Sequence, residues 1–280
     1  MIDLHMHSMF SDGTFTPEEL VAAGVRNGVK AMALTDHDTT AGVPRFLGAA
    51  EAAGMRAFSG VEVSAEVESG TLHVLGYGIQ PEHPGLKEHL TWIRKGREER
   101  NLEILRKLNE LGMSLTYEEV TAYAGADVVA RPHFAQAMIA KGYVGNKREA
   151  FDRFLARGKP AYAERSRLDA SDTFSIIRQA GGLPVLAHPF SLKLSGEPLR
   201  AKVEEFTRQG LGGIEVYYPE HSPERLRAYL RLAHEFDLVA TGGSDFHGAV
   251  SPGVEIGRGS GHLHVPDSVA SALQQRLGTV

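Results

Sequence analysis

Short apolar runs alternate with longer stretches of helical periodicity along most of the chain, the rhythm of strands followed by covering helices. Ile2-Asp3-Leu4-His5-Met6-His7 opens as a strand-like run. Thr16-Pro17-Glu18-Glu19 then starts a helix, with Thr16 as N-cap, proline at the first position and glutamate at the third. That helix stops near Asn27-Gly28. The pattern predicts further strands at 31–34, 57–63, 71–77, 184–188, 213–217 and 238–241. It predicts further helices at 41–53, 171–180, 198–209, 223–236 and 266–277.

Between residues 83 and 157 the alternation stops. Long helical periodicity and dense charge take over, as in Arg94-Lys95-Gly96-Arg97-Glu98-Glu99-Arg100, followed by shorter helices near 117–124, 131–141 and 147–156. These stretches carry apolar stripes enough to pack, so they read as a helical insertion rather than a linker. Residues 1–82 and 158–280 are then the two parts of one α/β unit, with 83–157 inserted over its active face.

The seven strand candidates end in His5/His7, Asp36/His37, Glu62, His73, His188, Glu215 and Asp245/His247. In a closed βα barrel such ends share the face on which active sites are built. His5 and His7 are two apart on a strand and so point to the same side, where neutral imidazoles can ligate a metal. Solvated rings at a strand end would explain any one of these histidines. They do not explain five histidine-bearing strand ends with carboxylates among them, because burying so many ionisable groups together is costly without cations. His5, His7, Asp12, His37, Glu62, His73, His188, Asp245 and His247 outnumber the positions around one ion, which predicts two or three. His83, His89, His234, His262 and His264 fall on presumed helix surfaces or the tail and are assigned no role.

Composition narrows this picture. The 280 residues are 42% hydrophobic and 23% charged, ordinary for a soluble globular protein. A net charge of −5 with dispersed basic residues argues against duplex DNA and leaves a small phosphorylated substrate open. The absence of cysteine excludes disulfides, zinc ribbons and iron–sulfur clusters. Any metal is therefore held by nitrogen and oxygen, which suits manganese first, with zinc or iron after it. No apolar run approaches a membrane span and none resembles a leader, so the expected location is the cytoplasm.

Five ordered motifs now stand out: Asp3-Leu4-His5-Met6-His7-Ser8 with Ser11-Asp12-Gly13, Thr35-Asp36-His37-Asp38, Gly60-Val61-Glu62, Ala187-His188-Pro189 and Ser244-Asp245-Phe246-His247. Together they resemble the PHP-domain (polymerase and histidinol phosphatase) metallophosphoesterases, from one end of the chain to the other. The resemblance implies a distorted (β/α)7 TIM-like barrel with a trinuclear centre. By it, His5, His7, Glu62 and Asp245 hold one ion, and Glu62 bridges to a second with His73 and His188. Asp12, His37 and His247 hold the third. The insertion with Gly-Arg-Glu-Glu-Arg-Asn and Arg131-Pro132-His133-Phe134-Ala135 is similar to the small bacterial branch that hydrolyses 3′,5′-nucleoside bisphosphates, whose relatives trim short RNA from the 5′ end. The chain departs from that branch at Ala130, where a hydroxyl-bearing residue is expected.

Arg94, Arg97 and Arg100 lie three apart and form one helical face, and guanidinium forks suit phosphate oxygens. Taken alone, a solvated face paired with Glu98, Glu99 and Glu103 is the simpler reading. Beside the metal face, Arg97 and Arg100 become expected phosphate ligands. Arg131 and His133 open another helix, where backbone N–H groups favour anions, and both are expected to touch substrate. Their plain alternative is a helix start with an incidental histidine. His133 or His221 could protonate the leaving oxygen, as could water at the metals, although His221 also fits an ordinary loop histidine. Gly257-Arg258-Gly259-Ser260-Gly261 lacks the Lys-Ser/Thr of a nucleotide loop and reads as a flexible turn.

The expected activity is release of phosphate from small phosphorylated nucleotides, with 3′,5′-bisphosphates first. The alternatives are a 5′-3′ exoribonuclease on short RNA, a histidinol-phosphate phosphatase, an amidohydrolase acting on C–N bonds, and a non-catalytic metal-binding module.

Overall fold

A computed structural model describes residues 1–124, 129–164 and 167–278. It is a mixed α/β fold with strands β1 (Ala31–Ala33), β2 (Arg56–Phe58), β3 (Gly60–Ala65), β4 (Leu72–Tyr77), β5 (Leu183–Leu186), β6 (Gly213–Tyr217) and β7 (Val239–Gly242). The helices are α1 (Pro17–Arg26), α2 (Val43–Ala52), α3 (Pro84–Glu110), α4 (Tyr117–Thr121), α5 (Arg131–Ala140), α6 (Lys147–Ala150), α7 (Ala170–Gln179), α8 (Gly196–Gln209), α9 (Pro223–Glu235) and α10 (Asp267–Leu277). β1 and β2 pair in parallel, and β3 to β7 form a second sheet in chain order. The predicted capping box of α1 is formed, with Thr16 Oγ1 accepting the Glu19 N–H at 3.2 Å and Glu19 accepting the Thr16 N–H at 2.8 Å. Such a cap stabilises a helix by roughly 1 kcal/mol.

Three features differ from the sequence reading. The run expected as one strand over 57–63 is two, broken at Ser59 and divided between the sheets. Ser59 leaves the ladder because its hydroxyl donates to the Ile79 carbonyl at 2.6 Å while its own carbonyl accepts the Gly78 N–H at 2.8 Å.

The N-terminal stretch is not a continuous strand. It is held by isolated bridges from Asp3 to Met32 and from Met6 to Phe246. Asp3 N–H donates to the Ala31 carbonyl at 2.9 Å, and Leu4 N–H to the Gly242 carbonyl at 3.2 Å, so the stretch lies between β1 and β7. Close approach is possible because residue 243 is glycine; a Cβ there would sit 2.3 Å from the His5 backbone nitrogen.

The third difference is direction. β4 runs antiparallel to both β3 and β5, not parallel as a plain βα repeat requires. The link between β3 and β4 is a short hairpin connection, and a parallel pairing needs a crossover of a dozen or more residues. His73 therefore reaches the face shared by the other strand ends from the start of its strand, opposite Ser64.

The reversal leaves the chain at the far end of the sheet, where Gln80 N–H bonds to the Ala180 carbonyl at 2.8 Å. α3 makes the return journey: its 27 residues span about 40 Å. Its first half buries Leu86, Leu90 and Ile93 in the core with Val63, Val74, Phe174 and Ile177. Its second half places Ile104 and Leu108 in a separate apolar cluster with Leu115, Phe134, Met138 and Leu155. α7 comes back beside α3 and leads into β5. No described helix is long and apolar enough to cross a membrane.

Candidate active site

All nine predicted ligands converge, and Glu62 on β3, 1% exposed, is their hub. Its Oε1 lies 2.9 Å from His73 Nδ1 and 3.0 Å from His188 Nε2. Its Oε2 lies 3.1 Å from His37 Nδ1, 3.2 Å from His7 Nε2 and 3.3 Å from His5 Nε2. Asp245 Oδ1 is 3.1 Å from His7 Nε2 and 3.4 Å from His5 Nε2. Asp12 Oδ1 is 3.2 Å from His247 Nε2. Donors that share one ion through bonds of about 2.1 Å in tetrahedral geometry sit about 3.4 Å apart, so these separations suit shared cations.

Three overlapping groups of donor atoms gather within 4.8 Å: His5, His7, Glu62 and Asp245; His7, Asp12, His37 and His247; and His37, Glu62 and His73. The first equals the set that the resemblance implies, and the second adds His7 to the implied set. His188 shares an oxygen of Glu62 with His73, while His37 stands close to both outer groups.

A second ring of groups holds these side chains in place. Glu215 on β6 meets His5 Nδ1 at 2.9 Å through Oε1 and accepts the His188 backbone N–H at 2.7 Å through Oε2. Tyr218 O–H donates to Asp245 Oδ2 at 2.8 Å. Asp36 is occupied in the turn that carries Asp12, accepting from the Ser8 hydroxyl at 2.6 Å and the Ser11 hydroxyl at 2.7 Å. His188 and Asp245 have positive φ, 26° and 54°. Side chains in such conformations cost about 1–3 kcal/mol each and persist only where the surroundings over-determine them. The bonds from Glu215 and Tyr218 are part of that restraint.

The electrostatics fit a cation site. Burial pushes the Glu62 carboxyl up, but His37, His73 and His5 outweigh it and hold it well below the usual range. Burial opposes charge on His7, yet Asp245 and Glu62 raise it to about 10. Burial dominates at His37 and pushes it down to about 3. Neighbouring imidazoles are thus driven in opposite directions, because protons alone serve the carboxylates unevenly. His7 Nδ1 and Nε2, Asp12 Oδ1 and His37 Nδ1 are buried without a hydrogen-bond partner. Such orphaned atoms, aimed at one another, are what a set of divalent cations would satisfy.

Two cavities flank the cluster. One, about 200 Å³, is lined by His37 and His73 on one wall and by Arg97, Arg100, Arg131 and Arg167 on the other. Arg97 and Arg100 are 7% and 6% exposed, so the solvated-face reading of α3 does not hold for them. Arg97 is clamped to Asp38 and keeps its Nε unpartnered, while Arg94 donates to the Asp38 carbonyl at 2.9 Å. Arg100 donates to Asn101 Oδ1 at 2.7 Å. Arg131 lines this cavity, with its guanidinium 5.8 Å and 5.6 Å from the Phe151 and Tyr162 ring centres and Nη1 on the Leu155 carbonyl at 3.3 Å. Arg167 enters from the loop before α7, held by Glu66 at 2.9 Å.

The other cavity, about 310 Å³, lies on the Asp245 and His247 side and includes His133. The Ala130 N–H donates to His133 Nδ1 at 3.0 Å, which leaves Nε2 as the protonated nitrogen of the neutral ring. Burial lowers the His133 pKa and favours that neutral form. His221 lines neither flanking cavity. Its Nδ1 bonds to the Val216 carbonyl at 2.8 Å, and its ring packs on Tyr218 and Tyr229, so the expected role at the leaving oxygen has no geometric support. Sequence reasoning did not single out Tyr218 or Arg167. Tyr218 lies between Glu215 and His221, two residues the sequence already marked, whereas Arg167 carried no local signal.

The profile of the PHP domain matches residues 3–148. A 5′-3′ exoribonuclease of Haemophilus influenzae is 34% identical over 95% of this chain and 96% of its own length. A 3′,5′-nucleoside bisphosphate phosphatase of Chromobacterium violaceum is also 34% identical, over 93% of this chain and 90% of its own. A solved structure described as an amidohydrolase of Chromobacterium violaceum, with bound sulfate and no metal, superposes with a TM-score of 0.87 at 32% identity. It covers 98% of this chain and 96% of that one.

Proposed function

The chain belongs to the PHP domain family, and from that premise we propose that it is a metal-dependent phosphoesterase releasing the 3′-phosphate of nucleoside 3′,5′-bisphosphates. The observation that carries this reading is the arginine-lined cavity directly beside the histidine cluster. A substrate with two phosphates can react with one at the metals while the other sits among Arg97, Arg100 and Arg131. We read the two sheets and the N-terminal stretch as a distorted (β/α)7 barrel, with residues 83–157 inserted over its active face.

In this proposal His5, His7, Glu62 and Asp245 hold one divalent ion, Glu62, His73 and His188 a second, and Asp12, His37 and His247 a third, with manganese the best match to the donors. When bound, such ions polarise phosphoryl oxygens and lower the pKa of water enough to supply a nucleophile near neutral pH. The protein does the rest. Asp38 holds Arg97 in place, and Arg97 with Arg100 binds the phosphate that does not react. Charge building on the reacting oxygens is met in a buried site where it is poorly screened by water. His133, neutral with hydrogen on Nε2, would hydrogen-bond to the leaving 3′-oxygen and stabilise its developing charge, the proton itself coming from water.

Phosphate release with Mn²⁺ tests this, comparing adenosine 3′,5′-bisphosphate with 5′-AMP, 3′-AMP and histidinol phosphate. The bisphosphate should exceed 3′-AMP in kcat/KM by about 100-fold, the worth of two charge-assisted contacts to the second phosphate. Preference for histidinol phosphate would overturn the substrate assignment. Hydrolysis of cyclic amides without any phosphate release would favour the amidohydrolase alternative, and no bound metal with no activity would favour a binding module.

A further inference from the structure

A further basic compartment lies beyond the arginine cavity, and a bisphosphate leaves it unused. It measures about 280 Å³ and shares Thr71, Arg131 and Arg167 with the arginine cavity, so the two abut. Its lining adds Arg157 and Lys193, which sets four cations against one carboxylate, Glu66. Glu66 is already engaged by Arg167 at 2.9 Å, and Arg157 meets Glu164 at 3.6 Å. Lys193 is exposed and makes no ion pair among the described residues. Burial lowers the Arg131 pKa, and the Arg167 and Arg97 cations beside it lower it further. An anion would relieve that crowding of like charges.

The backbone around Lys193 is closely constrained. The turn Pro189–Leu192 follows His188 and ends in Lys193, whose φ of 57° is left-handed. Glycine or asparagine would adopt that conformation with less strain than lysine. The β3–β4 connection holds the turn from the other side. Thr71 N–H donates to the Ser191 carbonyl at 2.9 Å, and the Ser191 hydroxyl donates to the Thr71 carbonyl at 2.8 Å. Gly70 permits this approach, since a Cβ there would sit 2.2 Å from the Ser191 carbonyl oxygen. Phe151 and Tyr162 also line the compartment, but the Arg131 guanidinium lies over both rings. The space therefore offers charge rather than a surface on which a base could stack.

Arg131 lines both spaces, so a 5′-phosphate seated among Arg97, Arg100 and Arg131 stands at their border. A second phosphate in anhydride linkage to it would extend past Arg131 toward Arg167 and Lys193. We infer that this compartment receives the outer phosphate of a 5′-diphosphate, so that the enzyme also takes nucleoside 3′-phosphate 5′-diphosphates. This rests on the phosphoesterase reading above and extends its substrate at the 5′ end. The reaction needs water alone. A water oxygen bonds to the 3′-phosphorus, the bond from that phosphorus to the 3′-oxygen breaks, and the 3′-oxygen gains a proton from water. The products are inorganic phosphate and a nucleoside 5′-diphosphate. Its anhydride stays intact because none of the nine candidate metal ligands lines the compartment.

Two measurements on Mn²⁺-loaded protein test this. Calorimetry should find ADP bound about 10-fold more tightly than 5′-AMP. Phosphate release should give adenosine 3′-phosphate 5′-diphosphate a kcat/KM at least equal to that of adenosine 3′,5′-bisphosphate. Lys193→Asn with Arg157→Gln removes two of the cations, and asparagine keeps the left-handed turn. That variant should lose about 10-fold on ADP and on the 5′-diphosphate substrate, with 5′-AMP and the bisphosphate changed less than about two-fold. Equal loss on all four would overturn the inference and reduce these cations to a general attraction for anions. No loss on any, or ADP bound no more tightly than 5′-AMP, would overturn it as well. Hydrolysis of the bisphosphate with rejection of the 5′-diphosphate would refute the compartment and leave the phosphatase standing. Hydrolysis of neither, with the preference for ADP intact, would sink the phosphoesterase reading and uphold the compartment as a diphosphate site.

Discussion

The histidine cluster and the arginine cavity lie wall to wall and handle charge in opposite ways. The cluster draws one or two side chains from each of many short elements, two of them at backbone positions with positive φ. Each carboxylate is surrounded by imidazoles, and Tyr218 braces Asp245 from behind. The cavity takes Arg97 and Arg100 from one regular helix, Arg131 from the start of another and Arg167 from a loop. Its cations are restrained by partners such as Asp38 and Glu66. The difference teaches that the cluster depends on convergence of many distant chain segments, whereas the cavity takes half of its arginines from the inward face of one helix. The first is costly to build and the second is easy to change.

Substitutions can separate the two regions. Glu62→Gln acts on the oxygens that five histidines approach and should have the largest effect. Bound metal, measured by elemental analysis, should fall, and phosphate release should drop by about 10³-fold. Retained metal and activity would dissolve the idea of a hub. Arg97→Ala with Arg100→Ala should cost about 10²-fold in kcat/KM for a bisphosphate at unchanged metal content. If metal were lost as well, the two regions would be one electrostatic unit. Tyr218→Phe removes only the hydroxyl on Asp245. It should weaken metal binding about 10-fold, and saturating metal should restore the rate. A defect that saturating metal leaves in place would move Tyr218 from a positioning role to direct contact with substrate.

The cluster was legible in sequence because its members, His73 apart, sit in ordered motifs at or just beyond the ends of apolar runs, and alternation along a strand already put His5 and His7 on one side. The braces were less visible. Asp36 resembled a ligand by position, but the Ser8 and Ser11 hydroxyls claim it, a choice that depends on how the turn folds back. The inward orientation of Arg97 and Arg100 was hidden for a related reason. Spacing of three defines a face but not what it faces, and nearby glutamates offered an equally local explanation. His221 stood open in sequence between a role at the leaving oxygen and an ordinary loop histidine, a choice that depends on the Val216 carbonyl that its ring meets and on the packing against Tyr218. The direction of β4 was a matter of loop length, legible in principle from the short stretch between Ala65 and Leu72.

The reversed strand has a consequence for how such a protein can diversify. Because β4 delivers the chain to the far end of the sheet, the segment that carries Arg131 and His133 arrives along α3 and departs toward α7, like a platform raised on two adjacent posts. What stands on those posts, from Ile104 to Ala163, is knit by its own apolar cluster. It can grow, shrink or change its lining without shifting a single strand beneath. Changes to the segment that carries Arg131 and His133 and changes to the histidine cluster thus fall on separable lengths of gene, joined at two helices.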